Sequence, residues 1–179
     1  MATWNSRGLR GSSFEEMINH TNEVYLERDL ALIQKIPTPI TPVKFDTESR
    51  HITLAYFDQQ STVDYIGSVQ GVPVCFVAKE CAGQSFPLQN VHPHQIAFMK
   101  HMEEQGGIAF LLILYTDIEA CYYMPLTELL GFVERSENGG RKSFRRDELD
   151  ENYFLRDIRF PFIPYLEMLA RDLESRDGD

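Results

Sequence analysis

Residues Ile108–Tyr115 read IAFLLILY, eight consecutive apolar positions between Gly106–Gly107 and Asp117. Successive side chains of a strand point to opposite faces, so a run apolar at both odd and even positions suits a buried strand. This is the longest apolar run in the chain, far short of the roughly 20 residues that a membrane helix needs. Around it lie segments with helical period. Phe14, Met17, Ile18, Thr21 and Tyr25 recur at spacings of three and four, which predicts an amphipathic helix from about Phe14 to Arg28. Ser13-Phe-Glu-Glu16 at its start has capping-box spacing. Pro93–Glu104 predicts a second helix, with Ile96, Met99 and Met102 on its core side and Gly106–Gly107 ending it. A last helix is expected from Phe162 to Leu173.

Strands are expected over Ala31–Ile36, His51–Phe57, Asp64–Ser68, Val72–Ala78 and Ala120–Met124. Pro125–Leu130 reads as a helical turn, and Cys81–Pro87 and the charged stretch Glu134–Asp150 read as loops. Ile36-Pro-Thr-Pro-Ile-Thr-Pro42 holds three prolines, which fit neither a helix interior nor a central strand. It predicts an extended excursion whose return limb is His51–Phe57. These elements imply a mixed α/β domain on one central sheet. The expected division is a flexible arm over 1–13, a single domain over 14–173 with the excursion at about 36–51, and an acidic tail over 174–179.

The length of 179 residues is enough for one sizeable core. The N-terminus has no apolar stretch resembling a signal peptide. Three cysteines, Cys75, Cys81 and Cys121, give an odd count without C-x-x-C spacing. That argues against a disulfide framework or a zinc site and fits a reducing cytoplasm. His92 and His94 have no further histidine or cysteine beside them and read as residues at a helix start. The net charge of −10 weighs against nucleic-acid binding, which usually shows a basic footprint.

Chemistry is concentrated in Thr62-Val-Asp64-Tyr65 and Phe76-Val-Ala-Lys79. A metal-dependent phosphodiesterase needs carboxylates for Mg²⁺, a metal that activates water and neutralises developing charge, and a cation such as lysine to stabilise the transition state. An acid at one strand start and acid-x-lysine on the next strand supply these, since residues i and i+2 share a face. Asp64 and Lys79 occupy two of the three places. Val77 stands at the third and has no oxygen to ligate a metal. Glu80 is adjacent, but on a regular strand it faces away from Lys79. The alternative is a hairpin in which Asp64 caps a turn and Lys79 is solvated.

The chain resembles the RecU family of Holliday junction resolvases along nearly its whole length. The resemblance is carried by Arg10-Gly11, Thr21-Asn22, Lys35-Ile-Pro-Thr-Pro39, Ala55-Tyr-Phe57, Ser61-Thr-Val-Asp-Tyr65, Ala78-Lys-Glu80 and Ser85-Phe-Pro-Leu-Gln-Asn90. His94-Gln95 and Gly140-Arg-Lys-Ser-Phe-Arg-Arg-Asp-Glu-Leu149 complete it. It implies a homodimeric, restriction-endonuclease-like fold that cuts four-way DNA junctions with Mg²⁺ (or Mn²⁺) in recombination and repair, among recombination proteins. By position it implies Thr62, Asp64 and Gln95 at the metal and Lys79 at the transition state, with the family's remaining metal-binding glutamate falling on Val77 and Glu80 as a possible substitute. The excursion matches a stalk that enters the junction centre. Arg10 matches an arginine of a DNA-contacting arm, and Lys35 is placed with the DNA contacts. Arg141, Lys142, Arg145 and Arg146 form the one dense basic cluster; they either contact phosphate or pair with Asp147, Glu148, Asp150 and Glu151. Tyr153–Tyr165, with five aromatics interleaved with Arg156 and Arg159, reads as packing at a sheet edge or dimer contact, the alternative being stacking on nucleic acid.

Overall fold

The computed structural model describes residues 12–57, 62–155, 158 and 161–176. In chain order the elements are α1 (Ser12–Glu27), β1 (Ala31–Lys35), β2 (Ile40–Asp46), β3 (His51–Phe57), β4 (Tyr65–Val69) and β5 (Val72–Cys81). Then follow β6 (Ser85–Pro87), α2 (Pro93–Glu104), β7 (Ile108–Tyr115), β8 (Ala120–Pro125), α3 (Leu126–Glu137), β9 (Ser143–Arg145), β10 (Phe154–Leu155) and α4 (Tyr165–Arg176). The fold class is the one expected, a mixed α/β domain on a central sheet. The sheet has six strands in the order β1-β4-β5-β7-β8-β10, and only β5 and β7 run parallel.

The apolar run is β7, a central strand buried on both faces. Ala109, Leu111, Ile113 and Tyr115 face the layer of α2 and α3 with Met99, Leu126 and Leu129. Ile108, Phe110 and Leu112 face α1 and α4 with Ile18, Tyr25 and Leu169. On this second face Tyr65, Phe76, Phe110 and Tyr123 form a stack across four adjacent strands, with ring centres 4.7, 4.7 and 4.4 Å apart. Each such ring pair adds roughly 0.5–1.5 kcal/mol beyond its area burial. β1 closes on β4 because residue 67 is glycine: a Cβ there would stand 2.0 Å from the Leu32 carbonyl oxygen.

Thr21 and Asn22 of α1 are buried polar residues tied to the start of α4 and the segment just before it. The Thr21 hydroxyl accepts from Ile163 N–H (2.9 Å), and Tyr165 donates to Asn22 Oδ1 (2.5 Å). At the far end Arg176 donates to Asp172 and to Glu103 of α2, and Tyr123 donates to Asp172.

Three segments differ from expectation. Pro125–Leu130 is the start of a full helix, α3, that runs to Glu137. Its end is held from outside: Arg135 bonds to Glu148 and to Ser143 O (2.7 Å). The stretches expected as loops, 81–87 and 134–150, carry α3's last turn, β6 and β9. β6 and β9 pair antiparallel, and Phe86, Phe144 and Phe132 stack beneath them. The proline-rich excursion is a separate ribbon, β2–β3, irregular around Pro42 and Lys44. Phe154 and Leu155 form the edge strand β10, in line with the sheet-edge reading of 153–165.

Candidate nuclease site at one end of the sheet

β1, β5 and β7 end, and β4 begins, at the same end of the sheet, because Lys35 pairs with Tyr65, Tyr65 with Phe76 and Cys81 with Tyr115. α1 and α2 both start here, α1 on one face and α2 on the other. Helix N-termini carry partial positive charge, so this end favours anions.

Asp64 sits in the bend before β4, half-buried. Its Oδ2 accepts from the Ala78 N–H at 2.8 Å, which anchors the carboxylate to β5 between Val77 and Lys79. The two parts of the sequence motif are therefore brought together. Lys79 is half-buried and Thr62 is exposed. Gln95 is only 4% exposed, in the first turn of α2. Its Oε1 accepts from His92 N–H at 3.2 Å, and the Gln95 N–H donates to the His92 carbonyl oxygen at 2.9 Å, which closes the helix start. His92 and His94 stack, with ring centres 5.4 Å apart.

Val77 is fully buried, in one cluster with Val63, Cys75, Met99 and Leu111. Glu80 lies on the other face. β5 keeps an unbroken register with β7 from Val74 to Cys81, so no bulge turns Glu80 towards Lys79. Glu80 is instead held by the Phe14 backbone of α1. Burial raises its pKa, opposed by that hydrogen bond and reinforced by Glu15. One of its oxygens is buried without a partner. Asp64, Thr62 and Gln95 offer the hard oxygen donors that Mg²⁺ prefers, but only one of them is charged. Among the described residues no three of His, Cys, Asp or Glu converge closely enough to hold a metal. The donor set thus fits Mg²⁺ in kind but lacks a carboxylate.

The cations expected at DNA are mostly engaged. Lys35 pairs with Glu15, Arg141 with Glu148, Arg145 with Asp147 and Arg146 with Asp117. Glu148 also takes Arg135 and the Arg145 N–H; the Arg135 hydrogen bond foremost lowers its pKa. Lys142 is exposed, and Arg10 lies outside the described residues. The acids at 147 and 148 were visible beside the cluster in sequence. Asp117 was not, because it comes from a turn 29 residues away.

The family described as Recombination protein U, RecU, matches residues 9–171. The Holliday junction resolvase RecU of Lactococcus lactis subsp. lactis (strain IL1403) is 45% identical over 169 residues, covering 92% of this chain and 78% of the relative. That of Limosilactobacillus reuteri (strain DSM 20016) is 40% identical over 172 residues, covering 93% and 84%. That of Streptococcus agalactiae serotype III (strain NEM316) is 39% identical over 173 residues, covering 94% and 86%. Among solved structures, the Holliday junction resolvase Hjc of Archaeoglobus fulgidus aligns with TM-score 0.44 and 12% identity, over 80% of this chain and 90% of that one. With a family match over nearly its whole length and relatives at these identities, this chain belongs to the RecU family.

Proposed function

We propose that this protein binds four-way DNA junctions in the cytoplasm as a homodimer and resolves them by Mg²⁺-dependent (or Mn²⁺-dependent) phosphodiester cleavage, with a rate depressed by Val77. One observation carries this reading: Asp64 is clamped to β5 by the Ala78 N–H, beside the strand position of Lys79. Bound Mg²⁺ would supply charge neutralisation at the scissile phosphate. Asp64 would hold the metal, with Thr62 and Gln95 as neutral donors, and Lys79 would hold the phosphate side. A single carboxylate would bind Mg²⁺ weakly, so the substrate's own phosphates would be needed among the donors.

A second reading is a junction-binding or regulatory protein that does not cut, acting beside recombination proteins. The burial of Val77 in an apolar cluster, with Glu80 turned to the other face, favours it. One assay separates the two. A labelled four-way junction is incubated with Mg²⁺ or Mn²⁺ and the unaltered protein, Asp64→Ala or Val77→Glu. Slow cleavage by the unaltered protein that Asp64→Ala abolishes is the expected result. Cleavage by Val77→Glu alone would sink the cleavage reading for the unaltered chain.

A further inference from the structure

Arg146 opens the 3-10 turn Arg146–Glu148 after β9, and its backbone N–H donates to Gln84 O at 2.8 Å. The main chain here is thus pinned to the segment that leaves β5. The guanidinium lies over the Tyr115 ring, with Cζ 5.3 Å from the ring centre. Its Nη1 donates to both carboxylate oxygens of Asp117, at 2.9 and 2.8 Å. Asp117 stands in the turn between β7 and β8, at the same end of the sheet as Asp64 and Lys79. The Arg146 side chain is 18% exposed, against 58% for Arg141 and 47% for Arg145. It is therefore the best-placed cation of the basic cluster, held by a ring below and a carboxylate beside it. A cavity of about 350 Å³ opens next to it, lined by Gln84, Ile118, Arg146, Asp147 and Glu151.

We propose that Asp117 occupies the place on Arg146 that a DNA backbone phosphate takes, and so sets how strongly this face holds plain duplex DNA. The proposal rests on the DNA-binding reading above. A carboxylate and a phosphate present the same kind of oxyanion acceptor to a guanidinium. Stacking on Tyr115 keeps the guanidinium in place while one anion replaces the other, so the exchange needs no new side-chain geometry. Arg146 holds the Asp117 carboxyl below its ordinary pKa, so the competitor stays ionised at neutral pH. A duplex arm that makes few other contacts must displace Asp117 for one phosphate contact. Asp117 therefore weakens, by the same factor, every DNA complex that uses this contact, duplex and junction alike.

The test is fluorescence anisotropy without divalent metal, using a labelled short duplex and a labelled four-way junction. The proteins are the unaltered chain, Asp117→Asn, Glu119→Gln and the double variant Asp117→Asn with Arg146→Gln. Glu119→Gln removes the same charge from the same turn. Asp117→Asn is expected to tighten duplex binding about twofold to fivefold relative to Glu119→Gln, the range expected for a partly exposed pair. The junction should gain by the same factor. The slope of log K against log salt should steepen by about one phosphate contact. The double variant should lose the gain. Equal binding by Asp117→Asn and Glu119→Gln, or a gain that survives in the double variant, would overturn the proposal. Junction binding by the unaltered chain without any gain in Asp117→Asn sinks this proposal alone. Failure of every protein to bind either DNA sinks the DNA-binding reading with it.

Discussion

Val77 has no exposed surface and shares its cluster with Val63, Cys75, Met99 and Leu111. A carboxylate in its place would face apolar side chains unless a cation reached it. Val77→Glu is therefore expected to destabilise the metal-free protein by about 2–4 kcal/mol. Mg²⁺ should restore part of that loss, because a ligand that binds only the folded state stabilises it. Melting curves with EDTA and with Mg²⁺ read both effects, and a metal-independent melting temperature would show that residue 77 does not face the metal position. Glu128 is a second residue whose environment decides its behaviour. Burial raises its pKa to about 7, partly offset by the hydrogen bond from Tyr122. The folded state then keeps its proton over a range where the unfolded chain has lost it. Its contribution to stability is full below about pH 4.5 and falls away as pH rises through about 7. Glu128→Gln should match the unaltered protein at pH 4.5 and exceed it by about 1 kcal/mol at pH 8, after discounting for solvent. Urea unfolding at the two pH values checks this.

At the scale of elements, α4 and the β2–β3 ribbon are held very differently. Asp172 of α4 is 2% exposed and is compensated by Arg176 and Tyr123, while Arg176 also reaches Glu103 of α2. Arg176→Ala leaves a buried carboxylate short of its cation and is expected to cost about 2–4 kcal/mol, read by denaturant unfolding. The ribbon stands apart from the central sheet and leaves Phe45, Ile52, Leu54 and Tyr56 about half exposed. Two strands alone are marginal in water. Amide exchange in β2 and β3 should therefore be much faster than in β5 and β7, and should slow when a four-way junction is added. Unchanged exchange with saturating junction would mean that the ribbon does not enter the complex. Local sequence patterns located α1, α2, β7 and the return limb β3 of the ribbon, while the outgoing limb was expected only as an extended excursion and is the strand β2. Those patterns missed the length of α3 and the pairing of β6 with β9. Those depend on Arg135 meeting Glu148 and Ser143, and on Phe86, Phe144 and Phe132 stacking, contacts between residues that no short pattern links.

Over the whole molecule, a net charge of −10 coexists with Lys35, Arg141, Arg145 and Arg146, four of the cations expected at DNA, tied to the chain's own acids. Affinity for DNA should accordingly be modest, with a shallow dependence on salt, since each phosphate contact contributes about 0.9 to the slope. What the sequence by itself determined was the α/β class, the family and the missing oxygen at residue 77. Each is a property of residue types in local order: an eight-residue apolar run, a shared set of motifs, a side chain that cannot ligate. The tertiary structure alone decided three further things. Asp64 is fastened to the backbone of β5, Glu80 is turned onto the face of α1, and Arg146 is held by Asp117. The reason is physical. Strand register and turn placement bring together groups distant in sequence, and hydrogen bonds and ion pairs act only at the few ångströms that folding creates.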